Sequence, residues 1–423
     1  MIRIDEIYNH TFWPWLDSHC TGTRMFFCDP PGQTGPEHLF NLGHNNIAET
    51  DYVYFHDQEP VDVDLYSSLF NEVIFRNMDI IVGRSPDRRL AHSSHIHWNN
   101  RDDREDFVEW RRGSEQGTQD YFRTRPDKFA SFLHSNPTLF QAQVVVSERG
   151  DNVKSLCDTY GWHSHYYFYH GWACLDWYRG YDRTFLIPRA RDRAPTRTFM
   201  SPNRIVAGKR DHRVLFLYNI YKQGLENNHI SAPRVCQYEG VDISIIAQKY
   251  TNVYQDITEV LNAADFPRLF VGEEQQEMHS YQLGNFVEAQ DSLIYVPTET
   301  VYFGRRTHLT EKTFKAIALE MPFVLVAPAG SLEYLREYGF RTFAGIFDES
   351  YDLETDDIRR IERVTQLLKE LDGLSQRERQ HIHDACVPIV EHNYNHFYRG
   401  GLGDILWTEL INMLNGIQVQ IRR

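Results

Sequence analysis

The sequence predicts an α/β protein built from two Rossmann-like halves, and three observations predict it. Short apolar segments alternate with polar loops and then helical stretches, the order that produces βαβ units and parallel sheets. Some of these segments, such as Phe323–Val326, are continuous apolar runs, as expected of strands covered on both faces. The chain's 423 residues also exceed what one ordinary core accommodates, so at least two domains are expected.

Taken in order, DYVYFH at 51–56 reads as a strand entering the loop Asp57-Gln58-Glu59-Pro60. Gln143–Ser147 is a second strand, followed by the helix NVKSLCDTYG, which stops at Gly161. His165–Tyr169 reads as a further, aromatic strand. In the second half Arg197–Met200 leads into Ser201-Pro202-Asn203-Arg204, and 212–225 carries a helical apolar face ending at a glycine. Ser292–Val296 runs into PTET, the stretch HLTEKTFKAIALE reads as a helix, and Pro322–Pro328 as a buried strand. Ser331 is expected to cap the next helix, with Gly339 just past its end. Further helices are expected near 355–372, 376–398 and 403–415. The strip Arg183–Arg213, with nine Lys/Arg against two Asp and three prolines, reads as a linker or inter-domain strip in which Arg189, Arg191 and Arg193 are solvated. The charged stretch 99–128 reads as a surface insertion. The resulting expectation is an N-terminal domain over 1–190, a C-terminal domain over 191–385, and helices over 386–423 packing back across both.

Composition narrows the function classes. A net charge of −15 argues against a protein that coats nucleic acid or anionic membrane, although a local basic groove remains compatible with it. The six cysteines form no CxxC pair and are expected to be free thiols in a reducing compartment. The N-terminus has acids early and no apolar core of a signal peptide, and no apolar run approaches the ~20 residues of a membrane helix. A cytoplasmic protein is the expectation. Aromatic residues make up 14% of the chain, which suits large cores first and a sugar- or base-binding cleft second.

The stretch that carries most chemistry is His308–Ile317, HLTEKTFKAI. A lysine in a helix's first turn lies against the positive end of the dipole, so Lys312 is unfavourable there unless an anion arrives. In open α/β sheets ligands collect at the carboxyl ends of strands, beside helix N-termini. Thr310 as N-cap, first-turn amides and Lys312 together form a candidate diphosphate site, with Glu299 or Glu311 available for ribose hydroxyls. The alternative is an ordinary capped helix with Lys312 solvated. GxxxxGK[ST] and GxGxxG are both absent, so a nucleotide would bind through side chains and helix ends. Asp57 and Glu59, at the end of a strand, include a candidate general base, against the alternative of a simple turn. Arg213 opens an apolar helix at its positive end and suits bidentate phosphate contact. His92, His95 and His97, the pair His163 and His165, and the Asp62-Val63-Asp64 run sit in no context diagnostic of a metal, and no metal site is expected.

Segment 299–317, ETVYFGRRTHLTEKTFKAI, resembles the donor-binding core of the α-1,3-fucosyltransferase family, where an E-N-S block precedes a Y-[VI]-T-E-K helix start. Phe199–Arg213, with Ser201, Asn203 and the downstream arginine, resembles that family's S-N-C block and phosphate-binding arginine. Glu59-Pro60 is similar to the family's E-S-P, which contains its general base. The run 310–343 also resembles virus-encoded glycosyltransferase-like proteins. Glu299-Thr300-Val301 stands in place of E-N-S, Arg204 in place of the cysteine of S-N-C, and Gln58-Glu59-Pro60 lacks the serine.

The resemblance implies a GT-B-like fold, two Rossmann-like domains with parallel sheets facing across a cleft. It implies an inverting, metal-independent transferase without a resident cofactor, whose co-substrate is a nucleotide-diphosphate-sugar, GDP-linked by preference. Lys312 and Arg213 would neutralise the diphosphate, Glu299 and Glu311 would hold hydroxyls, and Glu59 would deprotonate the acceptor. A glycan or small-molecule acceptor is expected ahead of a modified base in viral DNA. For a virus-encoded member the compartment would be the host cytoplasm. The rival from another class is a non-catalytic binding or structural protein that keeps the two-domain shell. A phosphoryl- or nucleotidyl-transferring enzyme ranks last, for want of an acidic pair in a recognisable place.

Overall fold

A computed structural model describes residues 24–28, 52–56, 60–61, 142–183, 187–236, 239–273 and 282–421. The chain divides into two compact units. One runs from His170 to Thr408; the other takes the described residues up to Tyr169 and those from Glu409 onward.

In the unit up to Tyr169, four parallel strands lie in sequence order: β1 (Arg24–Cys28), β2 (Tyr52–His56), β3 (Ala142–Val146) and β4 (His163–Tyr166). Val144, Val145 and Val146 are buried, which explains the unbroken apolar run. Helix α1 (Asp151–Tyr160) makes the β3–β4 crossover. Its C-terminal residue is followed by Gly161 at φ 71, the left-handed conformation in which a Cβ would be strained, and the glycine N–H closes on Cys157 O. The fourth strand ends earlier than the sequence suggests. Tyr167 N–H still reaches Val146 O at 3.0 Å, but Tyr169 already opens helix α2 (Tyr169–Tyr178). The segment YHGWACLDWY is apolar on almost every side, and such a stretch has no period that separates buried helix from buried strand.

The second unit is centred on the parallel sheet β6–β5–β7, formed by β5 (Arg197–Pro202), β6 (His229–Ser231) and β7 (Ser292–Tyr295). Phe323–Val326 continues it on the far side of β7, through parallel bridges Tyr295–Phe323 and Thr298–Val326. Helix α3 (His212–Lys222) follows β5, and α4 (Glu311–Ala318) follows β7. After α5 (Ser331–Glu337) come α6 (Asp357–Asp372), α7 (Gln376–Tyr398) and α8 (Gly401–Ile421), the last continuing into the other unit's residues. Asp356 caps α6 through the N–H groups of Ile358 and Arg359, and Ser375 with Glu378 forms a capping box on α7. The described residues therefore form a mixed α/β protein with small parallel sheets. No helix among them is long and apolar enough to cross a membrane.

Two local expectations are corrected. The basic strip is not a linker: β5 within it is the central strand of its sheet. Arg193 is 7% exposed, its guanidinium donating to the carbonyls of Leu319 at 2.6 Å and Glu320 at 3.3 Å, while Arg189 pairs with the Glu320 carboxylate. Only Arg191, paired with Glu391, is a surface residue. Charge density along a sequence cannot distinguish a solvated arginine from one whose fork is filled by carbonyl oxygens. Nor does Ser331 cap α5. Gly330 at φ 83 holds that position, and the Ser331 hydroxyl donates to Pro328 O at 2.7 Å.

Candidate functional site

The site lies at the carboxyl edge of β6–β5–β7, where the sheet's strands end together. Ser201 near the end of β5 donates to Val296 O at 3.0 Å. Asn203 is fully buried, giving its amide protons to Ser201 Oγ and O, and receiving the Thr298 hydroxyl at 2.9 Å. These contacts lock the β5 exit to the β7 exit. Ser201, Asn203 and Thr298 are thus framework, their side chains bonded to one another and to the backbone.

Arg213 sits in the first turn of α3 at 3% exposure. It donates to Ile205 O at 2.7 Å, Thr298 O at 2.6 Å and Glu299 O at 3.2 Å. Its Nε has no hydrogen-bond partner among the described residues. The guanidinium therefore ties two loops together and retains one buried donor. Beside it the His212 ring stacks on Tyr302 at 4.9 Å, held neutral by burial and by Arg213.

Glu299 is completely buried, and α4 is built around it. Thr310 Oγ1 and Thr313 Oγ1 each donate to its carboxylate at 2.6 Å, and Thr310 N–H adds a third bond at 3.2 Å. Thr310 does occupy the N-cap position, but its hydroxyl caps nothing. The expectation that it accepts from a first-turn amide is corrected: the hydroxyl donates inward to Glu299, and what its oxygen accepts is the Lys312 ammonium at 3.1 Å.

Lys312 is brought over this turn. Its ammonium donates to Thr300 Oγ1 at 3.0 Å, Thr310 Oγ1 at 3.1 Å and Glu311 Oε1 at 2.7 Å. The Lys312 and Glu311 side chains are 23% and 13% exposed, so the pair is at the rim, neither sealed in nor free in solvent. Burial pushes the Glu311 carboxyl up, but Lys312, Lys315 and His170 together outweigh it and hold the group well below the usual carboxylate range. Lys315, one turn on, is depressed by burial against the opposing pull of Glu311.

Three further residues belong to this edge. His170 on α2 makes an edge-to-face contact with His308 at 5.0 Å, and burial lowers it to about 4 against the opposing pull of Glu311. Glu273, 3% exposed, accepts from Ser231 Oγ at 3.2 Å and Phe270 N–H at 2.9 Å, and burial raises its carboxyl. Lys315 could have been found in the sequence from its i,i+4 spacing to Glu311. No local pattern signals His170 or Glu273.

Asp57 and Glu59, as well as His92, His95, His97, Asp62 and Asp64, lie outside the described residues. Among the described residues His163 and His165 do not converge on a third ligand; His165 Nε2 meets Gln143 Oε1 at 2.6 Å across the sheet. Among the described residues no group of three His, Cys, Asp or Glu could hold a metal ion.

Fold and site together define a mixed α/β protein with the Lys312–Glu311 pair at a helix terminus on the carboxyl edge of a parallel sheet. No family model, curated protein or solved structure matches the chain.

Proposed function

We propose that this chain is an inverting glycosyltransferase that takes its sugar from a nucleotide-diphosphate donor bound at the β5–β7 carboxyl edge. The observation that carries the reading is Lys312. Its ammonium is fixed by Thr300, Thr310 and Glu311 at the N-terminus of a helix whose N-cap residue, Thr310, makes no side-chain cap bond. Amide N–H groups, helix dipole and a positioned cation favour the same occupant, a phosphate carrying negative charge. The resemblance of 299–343 to the fucosyltransferase donor core adds to this, and in that reading the two units are the halves of a GT-B enzyme.

The chemistry would be a single displacement. The acceptor hydroxyl oxygen attacks the anomeric carbon as the bond to the diphosphate oxygen breaks, and the electron pair leaves on the phosphate. Charge grows on that oxygen in the transition state, where a pre-positioned cation lowers the barrier. Lys312 is the residue assigned to it, with Lys315 adding to the local positive potential. Glu311, at the rim, would meet ribose or sugar hydroxyls, whereas Glu299 and Arg213 would hold the loops in register. Glu59, or Asp57 beside it, would take the acceptor proton.

A thermal-shift panel of GDP, UDP, ADP, CMP and their sugar conjugates tests the reading, because a ligand that binds the native state raises the melting temperature by mass action. At least one diphosphate or its sugar conjugate should stabilise the protein, and Lys312→Ala should remove the shift while keeping the unliganded melting curve. An unchanged shift in Lys312→Ala, or no shift with any diphosphate, overturns it.

A further inference from the structure

Every proton of the Lys312 ammonium is committed. An ammonium has three donors, and Lys312 gives one each to Thr300 Oγ1, Thr310 Oγ1 and Glu311 Oε1. Its charge is matched as well, by the Glu311 carboxylate at 2.7 Å. Lys315, one turn on, differs in both respects. Among the described residues its ammonium has no hydrogen-bond or ion-pair partner.

Nor is Lys315 an ordinary surface lysine. It stands between Phe314 and Ala316, both fully buried, and is itself half-buried, with its tip still in contact with solvent. Side chains of a helix lean back toward its N-terminus, so Lys315 covers the turn that begins at Glu311. The charges it feels most are accordingly Glu311 and Lys312, with Arg204 at the exit of β5 adding to the repulsion. No neighbour serves as its counter-ion. The Glu311 carboxylate bonds Lys312, Glu299 is sealed behind its threonine donors, and burial pushes the Cys174 thiol well up, which keeps it neutral.

A cation taken partly out of water without a counter-ion is unfavourable until an anion completes it. A hydroxyl of a neutral ligand returns less of that lost solvation than a phosphate oxygen, whose hydrogen bond is charge-assisted. A single phosphate seated against Lys312 and the first-turn amides leaves Lys315 unmatched. A second phosphate, covalently next to the first, brings the missing charge within reach of the flexible lysine stem.

We infer that Lys315 is the direct contact for the second phosphate and makes this edge select a nucleoside diphosphate over a monophosphate. The inference rests on the donor reading of the same edge and assigns the residue that sets its phosphate count.

Calorimetric titration of the full chain tests it, with GDP, UDP and ADP set against GMP, UMP and AMP. The parent should bind at least one diphosphate roughly tenfold or more tighter than the matching monophosphate. Lys315→Met keeps most of the stem and removes the charge. It should weaken that diphosphate by about tenfold or more, change the monophosphate by less than about threefold, and melt no lower than the parent without ligand. Lys315→Arg should keep the preference. A parent without the preference, an unchanged preference in Lys315→Met, equal loss of both ligands, or a lower unliganded melting temperature overturns the inference. If the preference survives in Lys315→Met while Lys312→Ala still abolishes diphosphate binding, Lys315 loses its role and the transferase reading stands. Failure of every diphosphate to bind the parent overturns both.

Discussion

The Glu299 carboxylate accepts the Thr310 hydroxyl at 2.6 Å, and the same hydroxyl oxygen receives Lys312 Nζ at 3.1 Å. One threonine thus connects a buried anion to a rim cation. Its proton points inward and its lone pair outward, which fixes where the ammonium sits. The geometry at the helix start is set from the strand behind it, β7, whose exit delivers Glu299.

Removing that anion should be costly. Glu299→Ala leaves the Thr310 N–H and two threonine hydroxyls buried without their acceptor, and each unsatisfied group costs about 1–3 kcal/mol. We expect a loss of about 3 kcal/mol, read from the urea midpoint, and with it weaker binding of any ligand that uses Lys312. Glu299→Gln, which keeps one acceptor oxygen, should lose less.

Arg360 is among the largest fully buried side chains of the described residues, donating to the carbonyls of Ala327, Tyr302 and Glu354 and to Asp357. Its guanidinium also lies 4.3 Å over the Tyr302 ring. Arg360→Ala strands these acceptors and should cost about 3–5 kcal/mol. A melting temperature within a degree or two of the parent would contradict this.

Burial raises the Asp352 carboxyl to about 6, against the N–H of Leu332, which donates to it at 3.0 Å. The folded state therefore holds its proton where the unfolded chain, near 3.8, has released it. This group's stabilisation is complete below pH ~4 and is lost as pH rises through ~6. Asp352→Asn keeps the acceptor and should match the parent at pH 4, then exceed it by about 2–3 kcal/mol at pH 7.5, at ~1.4 kcal/mol per unit. Urea unfolding at the two pH values checks it.

His170 works in the opposite direction. Desolvation lowers its imidazole to about 4, so its contribution is present above the ordinary value of 6.5 and is lost as pH falls from there through 4. Nitrogen chemical shifts of the ring should report a neutral His170 down to pH 5. In the Asp352→Asn background, where one opposing carboxyl is gone, stability should fall between pH 7 and 5, with His165 and His212, also lowered by burial, adding to the fall. A ring that titrates near 6.5 would refute the burial argument.

The sequence by itself determined much of the element order, because strand and helix leave local periods. The runs at 144–146, 293–296 and 323–326 are apolar because both faces are covered, and α6 and α7 show their polar faces and caps. It also marked Lys312, whose position against the helix dipole is a local oddity. It did not decide what Lys312, Thr310 or Arg193 bond to. Glu299 lies 11 residues before Thr310, and the carbonyls that hold Arg193 lie 126 and 127 residues away. His170 and Glu273 join the same edge from positions with no shared period. The tertiary structure decided these roles, since a hydrogen bond goes to whichever buried acceptor is within reach, and reach is a property of the folded chain.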